Sequence, residues 1–506
     1  MRRAALGQGH ARRNFAGVDQ DTTRRADARL LGGIVALGIV LRIVQYFWRQ
    51  SYWHDEVFLV FTISEGNFAD AFGPLRLFQA TPPVFLILQM AIRHLLGDGE
   101  YALRLLPLVM GCASVAMMAV LARRLAGPTA AVVAVTLFAL SDKLIWHSVE
   151  SKQYGGDVFC ALVLLLIATG GSVTTRRFVA VAAFAAAAVW FSHPIVFLFG
   201  GASLAVLITT PIAQSRTGLS RYVAINALFA ASFAMLYWFV LRDQQYPYFY
   251  EYWNDQMVPW TAPQTLPLWF GRLGFDLFDY SYESTGVFLF PLGIVGAISL
   301  KRRNGGALLL GLLLWPAALN LLASALHRYP FSGTRATVYL APALLLLSSM
   351  GIESLIRHSV SLTWRRLAYL LPATLIIVGL IRASYHLVVP RQRGHVREPA
   401  AFVREHRAGD EPVYVLGQIS PVEFYLRGVP TRLLTLEQLA STRDESCWVV
   451  YGYSNERVRN QHLAAIRQLG QRMSLTAQKQ VTGGAAFHFE ANTTSQPTSG
   501  RAKDGT

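Results

Sequence analysis

The stretch RLLGGIVALGIVLRIVQYFWRQSYWHDE, residues 29–56, places two adjacent acids, Asp55 and Glu56, just after a long apolar run. A run of about 20 residues is long enough for a helix to cross the hydrocarbon core of a bilayer. Charged side chains close to a bilayer are costly and are usually functional. The stretch therefore predicts a transmembrane helix followed by a pair of carboxylates with a chemical role.

The composition of the whole chain favours the same setting. Of the 506 residues, 53% are hydrophobic and 15% are charged, whereas ordinary globular chains contain about 25% charged residues. A formal net charge of +16 could indicate nucleic-acid binding. The Lys and Arg residues, however, lie in short clusters between apolar stretches, which is the pattern that orients membrane helices. We expect an α-helical polytopic membrane protein and no nucleic-acid partner.

The apolar stretches predict about eleven transmembrane helices. The run 82–96 is shorter and contains Arg93 and His94, so we expect it to lie at the membrane interface. The expected spans are 29–48, 105–122, 128–146, 155–171, 177–191, 194–213, 222–241, 286–300, 306–325, 336–353 and 367–388.

This arrangement places nearly every basic cluster on one side of the membrane, as the positive-inside rule requires. It predicts a cytoplasmic N-terminus in the inner membrane, with a basic stretch 1–28 and a first helix that is kept rather than cleaved. A transmembrane domain is expected at 29–390. Its large outer loops are 49–104 and 242–285.

After the last span the chain changes character. Helix-like segments at 399–406, 421–427 and 455–470 alternate with strand-like segments at 413–417, 447–451 and 485–489. This alternation predicts a small extracytoplasmic α/β domain at 395–490. Residues 491–506 are rich in Ser, Thr and Gly, which predicts a disordered tail.

Several motifs follow one another in an order that resembles a known family. Asp55-Glu56 is followed by Thr81-Pro82-Pro83, by GDGEYALRLLP at 97–107, by ESKQY at 150–154 and by RATVYLAPA at 335–343. The set is similar to membrane glycosyltransferases of the GT-C superfamily, in particular protein O-mannosyltransferases and lipid A aminoarabinose transferases. The resemblance covers about residues 30–350, and the chain departs from it at Lys152, where the family has Arg.

The resemblance implies inverting transfer of a sugar from a polyprenyl-phosphate donor to a glycan, lipid or protein hydroxyl at the outer face. A carboxylate would accept the proton of the attacking hydroxyl, and cations would stabilise the leaving phosphate. Asp55 is the expected general base, and Glu56 is expected to position the acceptor or a water. The expected substrate- and phosphate-binding residues are Glu150, Lys152, Tyr154, Arg328 and Arg335.

No cofactor is expected, because no HxxxH or DxD spacing near the acid pair supports a dedicated metal site. His54, Asp55 and Glu56 are nevertheless possible ligands, so a divalent ion stays an open alternative.

Three other functions fit a polytopic chain. A transporter or flippase of lipid-linked sugars is the main alternative, although transporters place key polar residues near the bilayer midplane in repeated, broken helices. A ligase of undecaprenyl-diphosphate glycans and a non-catalytic assembly scaffold are the others. The scaffold predicts that Asp55→Ala leaves function intact.

Overall fold

The computed structural model describes residues 27–171, 174–391, 394–453 and 456–492. The chain divides into two compact units. We call Met1–Trp48 with Thr62–Val389 the helical unit, and Arg49–Phe61 with Pro390–Thr506 the α/β unit. Most of the expected basic N-terminal stretch, up to residue 26, lies outside the described residues, as does the expected tail from residue 493 onward.

The helical unit is built from helices connected by short turns and 3-10 segments. The helix α2 begins within Arg49–Phe61 and continues into the helical unit. In chain order the helices are α1 (Asp27–Phe47), α2 (His54–Glu65), α3 (Pro83–Leu96), α4 (Glu100–Leu125), α5 (Pro128–Leu140), α6 (Asp142–His147), α7 (Tyr154–Ala168), α8 (Thr175–Ala188), α9 (Ile195–Thr209), α10 (Arg216–Phe239), α11 (Pro247–Tyr252), α12 (Leu266–Ser281), α13 (Gly286–Lys301), α14 (Gly306–Ala325), α15 (Ala341–Arg357) and α16 (Leu362–Val388).

Within the described ranges, six helices are long and apolar enough to cross a membrane: α1, α4, α10, α14, α16 and the segment Arg335–Arg357 that contains α15. Their most apolar windows have mean hydropathies from 1.5 to 2.2. A helix of about 20 residues extends about 30 Å, which matches the hydrocarbon core. The chain is therefore a multi-pass membrane protein.

The prediction of about eleven spans is not confirmed. The segments Pro263–Ser281 and Gly286–Lys301 are bent by 100° and count as a seventh span only if taken together. The expected span 128–146 is interrupted at Ser141, whose side chain accepts a hydrogen bond from Leu144 N and starts a new helix. The remaining α5 has 13 residues, about 20 Å at 1.5 Å per residue.

Glycines allow the closest helix packing in the helical unit. A Cβ on Gly296 of α13 would lie 1.9 Å from Leu347 O, and a Cβ on Gly351 of α15 would lie 2.0 Å from Leu292 O. Small residues let helix backbones approach in this way, which increases van der Waals contact where no hydrophobic driving force acts between helices in lipid.

The α/β unit contains a mixed five-stranded sheet in the order β2-β1-β3-β5-β4. The strand β1 is parallel to both neighbours, with Val413 opposite Thr431 and Trp448, whereas β5 is antiparallel to β3 and β4. The strands are β1 (Val413–Leu416), β2 (Thr431–Leu434), β3 (Ser446–Gly452), β4 (Met473–Val481) and β5 (Gly484–Ala491), and the helices are α17 (Arg397–His406), α18 (Ile419–Tyr425), α19 (Leu436–Ala440) and α20 (Glu456–Leu469).

Helices cover both faces of this sheet. Val449 and Phe487 pack with Ile466 of α20 on one face, whereas Trp448 and Val450 pack with α17 and α18 on the other. The central strands are thus buried on both sides, which agrees with their continuous apolar sequence. The predicted helices and strands of this unit are confirmed, but β2, α19 and β4 were not predicted.

Candidate functional site

Asp55 and Glu56 lie in the first turn of α2, which begins at His54. Glu56 is fully buried, and its carboxylate accepts a hydrogen bond from Trp53 N at 3.3 Å. Asp55 is partly exposed. Negative charge is stabilised at a helix N-terminus by the backbone N–H groups and the helix dipole. The two acids therefore differ: Glu56 caps the helix, and Asp55 has access to solvent.

Ser51, four residues before Asp55, is held by the start of the C-terminal part of the same α/β unit. Its hydroxyl oxygen accepts hydrogen bonds from Val396 N and Arg397 N, both at 3.0 Å, and lies 2.8 Å from His395 Nδ1. Ser51 N donates to the same Nδ1 at 3.1 Å. We infer that Nδ1 is the unprotonated nitrogen of His395, because a backbone N–H cannot donate to a protonated one.

Glu398 completes this anchor by pairing with His395 Nε2. Partial burial works to raise the pKa of the Glu398 carboxyl. The interactions of the carboxylate with His395 Nε2 and with Arg397 outweigh it, so the pKa lies below its usual value.

Tyr52 fixes the same segment by its ring and its backbone. Tyr52 N donates to the hydroxyl of Tyr425 at 2.8 Å, and the Tyr52 ring meets the Phe424 ring edge-on at 5.5 Å between centroids. Phe61 also contacts Phe424, at 5.9 Å. The backbone on either side of Asp55 is therefore fixed by α18.

In the helical unit, Glu150 forms a buried chain of side chains with His147 and Tyr280. Glu150 Oε2 lies 2.7 Å from His147 Nδ1, and His147 Nε2 lies 2.8 Å from the Tyr280 hydroxyl. His147 and Glu150 are each only 1% exposed. Glu150 therefore fixes the orientation of the imidazole, and the imidazole in turn fixes Tyr280.

The same segment is packed against α1 and α4. Arg42 Nε donates to the Ser148 hydroxyl at 3.1 Å. A Cβ on Gly111 of α4 would lie 2.4 Å from Ser148 Cβ, so only glycine leaves room there. Neither Arg42 nor Gly111 was among the expected site residues, because nothing in the local sequence links them to residue 148.

Lys152 is buried, and its ammonium donates to Gln79 Oε1 at 2.6 Å. Two residues later, Tyr154 begins α7 and its ring lies 5.2 Å from the His147 ring. The structure thus brings Glu150, Lys152 and Tyr154 into one short segment around His147.

Arg335 lies among aromatic rings. Its guanidinium carbon is 5.9 Å from the Tyr154 ring centroid, 5.7 Å from that of Tyr252 and 5.2 Å from that of Trp253. It also donates to the Tyr252 hydroxyl at 3.1 Å. Cation–π contacts of this kind hold a guanidinium in place without neutralising its charge. Arg335 is therefore a fixed cation beside the expected residue Tyr154.

Arg328 lies nearer the chain surface and donates to the Tyr250 hydroxyl at 3.3 Å. Tyr250, Tyr252 and Trp253 belong to the aromatic run that begins at Tyr246, so both arginines contact the same run. The aromatic density was visible in the sequence, but its pairing with the two arginines was not.

The described residues contain no group of three or more His, Cys, Asp or Glu side chains that could hold a metal ion.

Fold and hydropathy define the class: a multi-pass helical membrane protein with a small C-terminal sheet. A scan against protein-family models finds no match, and a search of curated proteins finds none either. Solved structures do match. ArnT, the lipid A aminoarabinose transferase of Cupriavidus metallidurans, bound to undecaprenyl phosphate, is 14% identical with a TM-score of 0.51 over 90% of this chain and 97% of that one.

The oligosaccharyltransferase of Archaeoglobus fulgidus also has a similar fold. Its complex with Zn and sulfate is 13% identical, with a TM-score of 0.51 over 91% of this chain and 73% of that one. The same archaeal enzyme, AglB, in complex with an inhibitory peptide and a dolichol-phosphate, is 11% identical, with a TM-score of 0.51 over 94% of this chain and 75% of that one. The resemblance to GT-C proteins stated from the sequence is confirmed at the level of the fold.

Proposed function

We propose that this chain is an inverting membrane glycosyltransferase that transfers a sugar from a polyprenyl-phosphate donor to an acceptor hydroxyl. The reaction takes place at the outer face of the cytoplasmic membrane, and the acceptor is a glycan, a lipid or a protein. The observation that carries the proposal is the fold likeness over at least 90% of the chain to ArnT bound to undecaprenyl phosphate and to AglB with dolichol-phosphate.

Asp55 is the general base of the proposed reaction. The acceptor oxygen attacks the anomeric carbon, the bond from that carbon to the phosphate oxygen breaks, and the acceptor proton passes to the Asp55 carboxylate. The partial exposure of Asp55 at the start of α2 supports this role, since the base must reach the substrate. Glu56 is buried and positions the first turn through Trp53 N.

Arg335 and Lys152 are the proposed partners of the leaving lipid phosphate. The developing negative charge on the phosphate requires fixed cations, and preorganised ones contribute most. The aromatic rings around Arg335 provide that preorganisation. Arg328 contributes less because it contacts only the Tyr250 hydroxyl among the aromatic side chains named above. Glu150 acts indirectly, through His147 and Tyr280.

The test compares wild-type protein with Asp55→Asn in lipid nanodiscs. A panel of polyprenyl-phosphate sugars is supplied with cell-envelope extract as acceptor, and release of free lipid phosphate is followed by mass spectrometry. Loss of a general base lowers turnover by about 100- to 10,000-fold. We expect a loss of that size for one donor sugar.

The matched control is Asp243→Asn, which changes an exposed acid paired only with its neighbour Arg242 at 3.1 Å. Equal turnover in wild type and Asp55→Asn would remove Asp55 from the mechanism. Movement of lipid-linked sugar across the bilayer without release of lipid phosphate would replace the proposal with transport.

A further inference from the structure

A cavity of about 930 Å³ opens in the helical unit, and of the residues assigned above only Tyr280 lines it. We propose that this cavity binds the acceptor as an uncharged or basic glycan and discriminates against glycans that carry phosphate or uronate. The assignment of the ligand as acceptor rests on the proposed function, whereas the binding of carbohydrate does not.

One wall of the cavity is a stripe on α12 and the turn that follows it. Trp269, Arg272, Asp276, Tyr280 and Glu283 recur at intervals of three or four residues, which places them on one side of a helix. All five line the cavity, as does Asp279. The helix with the sequence LPLWFGRLGFDLFDYS therefore has two faces. Its apolar face packs against protein or lipid, and its polar face lines the cavity.

The opposite wall is formed by Asp255 and Gln256 together with Ser332, Gly333 and Thr334. Gln256 fixes this wall, because its carbonyl accepts from Phe331 N at 2.8 Å and its side-chain oxygen accepts from the Ser332 hydroxyl at 3.1 Å. A Cβ on Gly333 would lie 2.1 Å from Asp276 O, so this loop packs directly on α12. The cavity is thus bounded by two walls that are packed against each other at one end.

The polar groups of the cavity are of two kinds. Lys143 pairs with Glu283 at 2.8 Å, and Asp279 Oδ1 accepts from Gly286 N at 3.1 Å. The side chains of Asp255, Arg272 and Asp276, by contrast, form no hydrogen bond or ion pair with any part of the chain that the structure describes. Two carboxylates and one guanidinium of the lining are therefore available to a ligand.

This combination suits a sugar. Planar carboxylate, amide and guanidinium groups bind pairs of vicinal hydroxyls, and the rings of Trp269 and Tyr280 offer faces for the C–H side of a pyranose. Both rings are partly exposed, so they are accessible from the cavity. A purely apolar ligand would leave the charged lining unpaired, which is unfavourable.

The charge of the lining decides which sugars enter. Four carboxylates line the cavity (Asp255, Asp276, Asp279 and Glu283), against the two cations Lys143 and Arg272, which leaves a net charge of −2. One of the cations is already neutralised by Glu283. Like charges at close range repel one another. Phosphorylated and uronate-containing glycans are therefore disfavoured.

The cavity also borders the buried chain that contains Glu150. Tyr280 lines the cavity, and its hydroxyl lies 2.8 Å from His147 Nε2. A ligand that rests against the Tyr280 ring is thus connected through two hydrogen bonds to a segment with proposed donor-phosphate residues. This contact is why we assign the cavity to the acceptor rather than to an unrelated glycan.

Binding of three tetrasaccharides to full-length protein in nanodiscs tests the proposal by saturation-transfer NMR and calorimetry. The probes are chitotetraose, its deacetylated form chitosan tetramer, and oligogalacturonate tetramer. We expect the first two to bind and the uronate to bind at least about tenfold more weakly, which is 1.4 kcal/mol.

Two variants test the lining of the cavity. Trp269→Ala should weaken the binding of chitotetraose about tenfold or more. Asp276→Lys should remove the discrimination against the uronate.

Trp260→Ala is the matched control, because Trp260 is an exposed tryptophan shortly before α12 that does not line the cavity. Absence of chitotetraose binding to wild type, equal binding to Trp269→Ala, or a preference for the uronate would each overturn the proposal. If chitotetraose binds as expected while no donor sugar releases lipid phosphate, the glycan site stands and the proposed transfer reaction falls. If lipid phosphate is released but no probe binds, only the cavity assignment falls.

Discussion

Asp55 and Glu150 are both acids close to a predicted membrane boundary, yet the structure surrounds them very differently. Asp55 is partly exposed in the first turn of α2. Glu150 is 1% exposed, and its carboxylate lies 2.7 Å from His147 Nδ1. An acid that must take a proton from a substrate needs access, whereas an acid that orients an imidazole needs burial. The comparison supports the proposed chemical role of Asp55 and the proposed positioning role of Glu150.

The two segments are also anchored by different means. Ser51 and Tyr52, just before Asp55, bond to residues 344 and 373 positions further along the chain. Ser148, next to His147, accepts a hydrogen bond from Arg42 of α1 and packs closely against Gly111 of α4. The acid pair therefore depends on the fold of the α/β unit, and the Glu150 segment depends on the helical unit. Substitutions in the anchors should affect one segment at a time.

Among substitutions other than that of the proposed base itself, the largest effect is expected from Ser51→Ala. It removes an acceptor for Val396 N and Arg397 N and a partner of His395, all at a buried position. Each buried group left unsatisfied costs about 1–3 kcal/mol. We expect faster hydrogen exchange in residues 49–61. Turnover should fall by about 10- to 100-fold, since 1.4 kcal/mol corresponds to tenfold.

Ser220→Ala, at an exposed serine of α10, is the control for this experiment. Hydrogen exchange by mass spectrometry and lipid-phosphate release are measured on the same samples. Unchanged exchange in residues 49–61 of Ser51→Ala would mean that His395 and its neighbours do not hold the acid segment.

The elements that the sequence predicted are those whose signal is local. Long apolar runs identified the six long helices, and continuous apolar runs identified β1, β3 and β5. The strand β4, by contrast, is an edge strand with the mostly exposed, polar sequence MSLTAQKQV. An edge strand of this kind lacks the alternation of buried apolar and exposed polar residues by which a strand is predicted from sequence.

The candidate site was predictable only in part, for the same reason. The acids and arginines could be named because charge is rare in a membrane chain. Their partners could not. His395 lies 344 residues from Ser51, and the Tyr252 and Trp253 rings around Arg335 were visible only as a stretch rich in aromatic residues. Pairing across such distances is a property of the fold, and a single sequence contains no pattern that reports it.

A smaller effect is expected from Glu150→Gln. The glutamine keeps the shape and an acceptor for His147 Nδ1 but removes the charge, and charge-assisted hydrogen bonds are roughly twice as strong as neutral ones. We expect turnover about tenfold lower, equivalent to 1.4 kcal/mol. Hydrogen exchange in residues 49–61 should stay as in wild type.

The pH profile of turnover distinguishes this positioning role from a direct one. If Glu150 only orients His147 and Tyr280, the variant keeps the wild-type dependence on pH and differs only in amplitude. A profile that loses its acidic limb would instead make Glu150 a proton acceptor in the reaction. Glu150 would then have the same kind of role as the one proposed for Asp55.

The smallest effect on activity is expected from Glu411→Gln in the α/β unit. Partial burial works to raise the pKa of Glu411. Hydrogen bonds from Ser446, Ala408 N, His488 and Trp448 outweigh it and lower this pKa to about 2. A carboxyl whose pKa is lower in the folded than in the unfolded chain stabilises the fold fully above its unfolded pKa of about 4.3. That stabilisation is lost as the pH falls towards 2.

We therefore expect the protection of the amides in the β3 peptide, residues 446–452, measured relative to the intrinsic exchange rate at each pH, to fall in wild type between about pH 4.5 and pH 2. In Glu411→Gln this protection should already be low at neutral pH and change little on acidification. Turnover at neutral pH should stay near the wild-type value, because Ser51, His395 and Tyr425 are not bonded to Glu411. A marked loss of turnover would show that the anchor of Asp55 depends on the whole sheet and not only on the contacts of Ser51 and Tyr52.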